Sequence, residues 1–276
     1  MTVLTITIII LLGAFVAGFL GSLTGLGGGV VIIPLLTLLL HVDIHYAIGA
    51  SLVSVIATSS GSAVAYVREG ITNIRIGMFL EIATTLGAII GVILAVYTPT
   101  NLIAILFGVV LITSAVFSFM KKPEHSVVPS LVSQRLRLNG SYTSIDTIVH
   151  YGVCNVIGGF FMMILAGILS GLLGIGSGAL KVIAMDNIMR MPFKVSTTTS
   201  NFMIGVTATT SAIVYWQRGY INPGLAMPVV LGVLLGAFVG SKILVKTESN
   251  WIRILFGIVV TFLAIQMIYK GLSGQI

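Results

Sequence analysis

"GLGGG" at 25–29 and "GIGSG" at 174–178 each interrupt a long apolar run. Glycine in a helix interior costs about 1 kcal/mol relative to alanine, so two such clusters mark places where a helix has to break. They lie 149 residues apart (174 − 25 = 149), and the same shift aligns much of the chain with itself without a gap. "AGFLGSLTGLGGG" (17–29) falls on "AGILSGLLGIGSG" (166–178), and "SLVSVIATSSGSAVAYVREGITN" (51–73) on "SNFMIGVTATTSAIVYWQRGYIN" (200–222). "NLIAILFGVV" (101–110) falls on "NWIRILFGIV" (250–259). Apolar bias gives chance matches, but it does not place Tyr66 on Tyr215, Asn73 on Asn222 and Asn101 on Asn250 in one register. The chain is an internal duplication, a property typical of secondary transporters.

The solvent follows from composition. The chain is 57% hydrophobic and 8% charged, where a soluble globular protein is about 25% charged. Several windows reach the roughly 20 apolar residues that cross a bilayer. We therefore expect an all-α polytopic membrane protein, with no nucleic acid as partner despite the net charge of +7. The single cysteine, Cys154, excludes an internal disulfide and a cysteine metal cluster. The N-terminal apolar stretch has no basic flank and reads as a retained membrane segment rather than a signal peptide.

Each half divides into about five helical segments: 3–22, 28–41, 46–67, 75–97 and 101–120, then 148–172, 178–190, 195–216, 224–245 and 250–270. This gives a first membrane repeat at 1–120, a cytoplasmic linker at 121–147 and a second repeat at 148–276. The second segment of each half is too short to cross the hydrocarbon core of about 30 Å, which puts the glycine breaks inside the membrane. Whether these segments span or re-enter stays open. The positive-inside rule orients the repeats. With the linker inside, an inverted second half places Arg68, Arg75, Lys121, Lys122, Arg135, Arg137, Arg190, Lys194, Lys242, Lys246 and Arg253 on one side and only Arg218 and Lys270 on the other. We thus expect inverted-topology repeats, both termini outside, and the glycine breaks meeting near mid-membrane.

A helix start exposes unpaired N–H groups and a partial positive charge, and in lipid those donors require a partner. Two glycine-lined starts facing each other suit a small anion. The expected binding residues are Gly25, Gly27, Gly28 and Gly29 in the first half, and Gly174, Gly176, Ser177 and Gly178 in the second. Hydroxyls and an amide follow in the third segments, and we expect Ser51, Thr198, Ser200 and Asn201 to line the site. Lys181, three residues past the second break, is expected to bind the anion, because no acidic residue other than a distant Glu81 is evident at its depth. Glu81 is a candidate for accepting a coupling proton, or an interface carboxylate two turns from Arg75. Intramembrane charges are functional candidates by default.

The pattern "HVDIH" (41–45) sets His41 and His45 at i, i+4 spacing, but no second cluster supplies further metal ligands, so we expect no metal and no other cofactor. The sequence contains neither HExxH nor G-x-S-x-G, which argues against common membrane hydrolase chemistry.

The stretches "AGFLGSLTGLGGGVVIIPLL", "YAIGASLVSVIATSSGSAVAYVREG", "SGLLGIGSGALKVIAMD" and "KVSTTTSNFMIGVTA" together resemble the sulfite exporter TauE/SafE family, also called the toluene sulfonate uptake permease family. The resemblance covers nearly the whole chain outside the linker. It implies a secondary transporter of sulfur oxyanions or organosulfonates such as sulfite, thiosulfate or sulfoacetate. The expected setting is the cell membrane, with a proton or sodium ion as coupling partner and a homodimer as an open assembly. The second half departs from the first, with Lys181 at the position of Ile32 and Ile183 at that of Pro34, so the two half-sites are not equivalent. An anion channel and a membrane-embedded enzyme or scaffold are the competing functional classes.

Overall fold

The computed structural model describes residues 3–24, 27–119, 129–144, 147–246 and 250–274. The first half consists of α1 (Val3–Thr24), a short α2 (Gly29–Pro34) that runs on into the π-helical turn π1 (Leu35–Leu39), then α3 (Ile44–Arg68), α4 (Ile74–Tyr97) and α5 (Thr100–Phe119). The second half repeats the order with α7 (Val156–Leu173), α8 (Gly178–Ile183), π2 (Ala184–Ile188), α9 (Phe193–Gln217), α10 (Pro223–Lys246) and α11 (Asn250–Ser273). Between them lie a short helix α6 (Leu131–Arg135) and an antiparallel hairpin, β1 (Gly140–Ser144) with β2 (Thr147–Tyr151). Among the described residues five helices are long and apolar enough to cross a membrane. The protein is an all-α polytopic membrane protein apart from that hairpin.

The short arms end the same way in both halves. Val42 N–H donates to the Leu36 carbonyl at 3.0 Å, and Met191 N–H to the Met185 carbonyl at 2.9 Å. The residue before each donor, His41 or Arg190, is left-handed. This closure is one residue wider than the six-to-one bond of a Schellman cap, in keeping with the π turn before it, and it has non-glycine residues at the αL position. Pro34 does not cause the π turn, because the second half makes the same turn with Ile183 in its place. His41 therefore lies outside any helix, and the i, i+4 relation expected with His45 is absent. His45 instead pairs with Asp43 at 3.2 Å and stacks on Tyr220.

Each short arm is one limb of a hairpin. A Cβ on Gly13 would meet Leu35, and one on Gly21 would meet the backbone of Gly27, so α1 and the α2–π1 arm are antiparallel and the chain returns to the end it came from. In the second half Cys154 N–H donates to the Met189 carbonyl at 3.1 Å, and Gly159 faces Met189. At 1.5 Å per residue the arm Gly29–Leu39 covers about 16 Å, half of a bilayer core. The short segments therefore re-enter.

Glycines on the long helices serve close packing. Cβ atoms at Gly232, Gly236 and Gly240 of α10 would strike Leu11, Phe15, Phe19 and Ser22 of α1, and those at Gly87 and Gly91 of α4 would strike Ile164 and Ile168 of α7. Those two pairings are equivalents under the 149-residue shift. The helices α3 and α9, also equivalents, cross antiparallel at the centre. Ser59 Oγ donates to the Asn201 carbonyl at 2.6 Å, and Asn73 N–H to Thr199 Oγ1 at 3.1 Å beyond the far end of α3, while Tyr46 at its start meets Tyr220. Leu4, Ile8, Leu12 and Val16 of α1 and Ile82, Leu86 and Ile93 of α4 stay exposed on helical faces. Such stripes are a liability in water and fit a lipid surround.

The first helix of the second half was expected over 148–172, but it starts at Val156, with β2 occupying 147–151. The alternation in "TIVHYGV" is strand-like, and Asn155, left-handed, caps α7 through its side chain to Gly158 N–H. The described part of the linker is not merely a surface strand of chain. Leu138, Tyr151 and Val153 pack with Ile76, Leu80 and Met185. Asn73 caps α4, and its amide donates to the Leu138 carbonyl and to the Tyr151 hydroxyl, both at 2.9 Å. Burial pushes the Tyr151 phenol above its ordinary range, so it remains neutral and hydrogen-bonding.

Candidate substrate and coupling site

The two glycine breaks meet at the middle of α3 and α9. Gly27 has φ 77° and Gly176 φ 68°, the left-handed region that glycine enters without the Cβ penalty. A Cβ at either would contact the same two side chains, Val55 and Ile204, which are themselves equivalents under the 149-residue shift. A Cβ at Gly29 would meet Ser51 Oγ and, at 3.3 Å, the Gly174 carbonyl, so the tips touch directly. Gly174 is left-handed and caps α7, its N–H donating to the Ser170 carbonyl. Ser177 is also left-handed and offers no side-chain cap to α8. Gly25 lies outside the described residues.

The hydroxyls knit the tips to the central helices. Ser51 Oγ donates to the Gly174 carbonyl at 2.7 Å and Ser200 Oγ to the Gly178 carbonyl at 3.2 Å. The Asn201 amide donates to the Ser22 carbonyl at 3.0 Å, the same oxygen that accepts from Tyr66, and its Oδ1 is buried without a partner. Thr198 Oγ1 bonds back to Lys194 and Val195 of its own helix. Ser177 Oγ is buried and unpartnered at the tip itself. Every described residue expected at the site, Gly28 and Gly178 included, is buried in this conformation.

The structure changes the reading of the two intramembrane charges. Lys181 is fully buried, and its Nζ lies 3.5 Å from Glu81 Oε2. The expectation that Lys181 lacks a protein counter-charge is therefore overturned: α4 brings Glu81 alongside α8 at the depth of the tip, a contact between halves that sequence distance hides. For the same reason Glu81 is not a partner of Arg75, which is exposed. Thr207 of α9 joins the pair. Lys181 Nζ donates to Thr207 Oγ1 at 2.5 Å, and Thr207 Oγ1 donates to Glu81 Oε1 at 2.6 Å. Thr207 was not among the expected lining residues. Its signal in the sequence is its position seven residues after Ser200, on the same helical face. The equivalents of Lys181, Thr207 and Glu81 in the opposite half to each are Ile32, Thr58 and Val230, so the charged trio occurs once.

Two re-entrant hairpins, broken at glycine and meeting between antiparallel central helices, define a polytopic membrane transport protein. The chain belongs to the sulfite exporter TauE/SafE family, whose model matches residues 10–267. It is 29% identical over 279 residues to the probable membrane transporter protein YunE of Bacillus subtilis, covering 98% of this chain and 99% of that protein. It is 29% identical over 234 residues to the probable membrane transporter protein YdhB of the same organism (85% and 89%). With the probable membrane transporter protein MJ0441 of Methanocaldococcus jannaschii it shares 25% over 280 residues (96% and 96%). No solved structure matches it. The family and these names are those of membrane transporters and not of enzymes.

Proposed function

We propose that the protein is a secondary transporter of small anions, of the sulfur oxyanion or organosulfonate class, working by alternating access around the meeting point of the two glycine tips. The observation that carries this reading is the direct contact of the tips beside Val55 and Ile204, with backbone donors at both helix starts and a cationic side chain one turn beyond. Anions are held at helix starts by this combination of N–H groups and dipole. Burial of the whole set means that the anion enters only when one part of the molecule moves against another, which is the requirement of alternating access. The antiparallel crossing of α3 and α9 and the exchange of equivalent helices between halves support inverted-topology repeats with units 1–120 and 148–276. The functional setting is the cell membrane, with the basic linker on the cytoplasmic face.

The test is uptake by proteoliposomes of sulfite, thiosulfate, sulfoacetate and ethanesulfonate, with simple carboxylates as controls. Saturable uptake, accelerated by the same anion on the opposite side, is the expected result. Unsaturable currents in its place would indicate a channel, and absence of transport for the whole panel would overturn the anion reading.

A further inference from the structure

We propose that the Lys181–Thr207–Glu81 trio couples anion and proton, the bound anion and the Glu81 carboxylate competing for one ammonium group. The proposal rests on the anion-transport reading and adds its coupling ion, its stoichiometry and a preference for singly charged anions.

Lys181 lies three residues beyond Gly178, one helical turn from the tip, and is fully buried. Two groups hold its ammonium: Thr207 accepts one N–H, and Glu81 Oε2 stands 3.5 Å away without a hydrogen bond of its own. The tip one turn away is polar. Ser177 Oγ is 1% exposed and unpartnered. Ser177 is left-handed where its first-half equivalent Gly28 is right-handed, so the tip nearest the charged pair differs between the halves.

The empty trio is neutral, one ammonium against one carboxylate. A singly charged anion drawn to Lys181 leaves one uncompensated negative charge in a buried site, which is strongly unfavourable. A proton from the adjoining aqueous side, added to a Glu81 carboxylate oxygen as a new O–H bond, restores neutrality. No electron moves and no other bond breaks. Thr207 can turn its hydroxyl to accept from the protonated carboxyl, since it is both donor and acceptor. Release of the anion reverses the steps. A doubly charged anion leaves the same site negative after one proton, so a sulfonate with one charge fits best.

The other ionisable groups of α4 and of the elements beside it are few among the described residues. On α4 itself Arg75 and Tyr97 are exposed. The facing helix α7 has no ionisable side chain, α9 contributes Lys194 at its start and Tyr215 near its end, and π2 contributes Asp186. Of the described residues, Lys181 alone lies within ion-pair distance of Glu81.

The experiment is calorimetric titration of the detergent-purified full chain with ethanesulfonate, which stays ionised from pH 5 to 8, in buffers of different ionisation enthalpy. The expected result at neutral pH is uptake of about one proton per anion bound, with affinity rising up to about ten-fold per unit fall in pH, as reciprocity of linked binding requires. Glu81→Gln should bind ethanesulfonate without proton uptake and without pH dependence. Binding to the wild-type chain with no proton uptake, or undiminished uptake in Glu81→Gln, overturns the coupling while leaving anion transport intact. So does transport of sulfite or thiosulfate with no binding of ethanesulfonate. If none of the four anions is transported, the underlying functional reading falls as well.

Discussion

Removing the Lys181 ammonium is the perturbation whose cost the structure defines best. Two unit charges 3.5 Å apart at an effective dielectric of about 20 attract by about 5 kcal/mol. Breaking a buried pair by deleting one member costs about 3–5 kcal/mol, because the other charge is stranded. Lys181→Met should therefore destabilise the protein by about 3–5 kcal/mol. The loss should shrink at low pH, where a stranded carboxyl is relieved by taking up a proton. The double variant Lys181→Met with Glu81→Gln leaves no charge and should recover most of the loss, keeping a hydrogen-bonding amide beside Thr207. Reversible unfolding in mixed micelles, read for the wild-type chain, both single variants and the double variant, gives the coupling directly. Independent sites add to within about 0.5 kcal/mol, so a coupling no larger than that would refute the pair and the reasoning built on it.

Other consequences are open to direct measurement. Gly27→Leu and Gly176→Leu should each abolish uptake while the protein still reaches the membrane, because a side chain there strains a left-handed residue and collides with Val55 or Ile204; normal uptake would reduce the breaks to packing. On a Cys154→Ala background, Ser141→Cys and Lys242→Cys should react with an impermeant thiol reagent from the cytoplasmic face and Arg218→Cys from the other; labelling of the first two from opposite faces would exclude the inverted arrangement. Asn73→Ala removes the cap of α4 and its bonds to Leu138 and to Tyr151 of the hairpin, each worth about 1 kcal/mol. Limited trypsin digestion should then cut faster at Arg135 and Arg137, and an unchanged rate would mean that the hairpin is held without Asn73.

The sequence made the helices and their breaks legible because both signals are local. Apolar runs of membrane length, glycine clusters and a fixed 149-residue offset place the helical segments within a few residues of the observed bounds, except at the start of α7. There "TIVHY" is a strand paired with β1, and apolarity alone does not separate it from a helix. The offset also marks the two breaks as equivalent, and Gly27 and Gly176 do meet beside Val55 and Ile204. What stayed hidden was the pairing across halves. Glu81 and Lys181 are 100 residues apart and have apolar equivalents in the other repeat, so neither periodicity nor symmetry joins them. Only the packing of α4 against α7 and α9, set by glycine contacts such as Gly87 with Ile164 and Gly77 with Phe202, brings the carboxylate to the ammonium.

Those glycine contacts also determine what could ever have existed as a separate molecule. The close-packing face of α1 is matched by α10 and that of α7 by α4, so each re-entrant hairpin is braced by a helix encoded in the opposite half. A chain of half this length would leave its bare glycine faces without a neighbour. Two identical half-chains that each lend the other this helix, as a two-fold pair does, would cover those faces. A half of this architecture would therefore fold only as one of a pair, and a single fused chain lets the two copies differ, one carrying a lysine beside its glycines and the other a carboxylate.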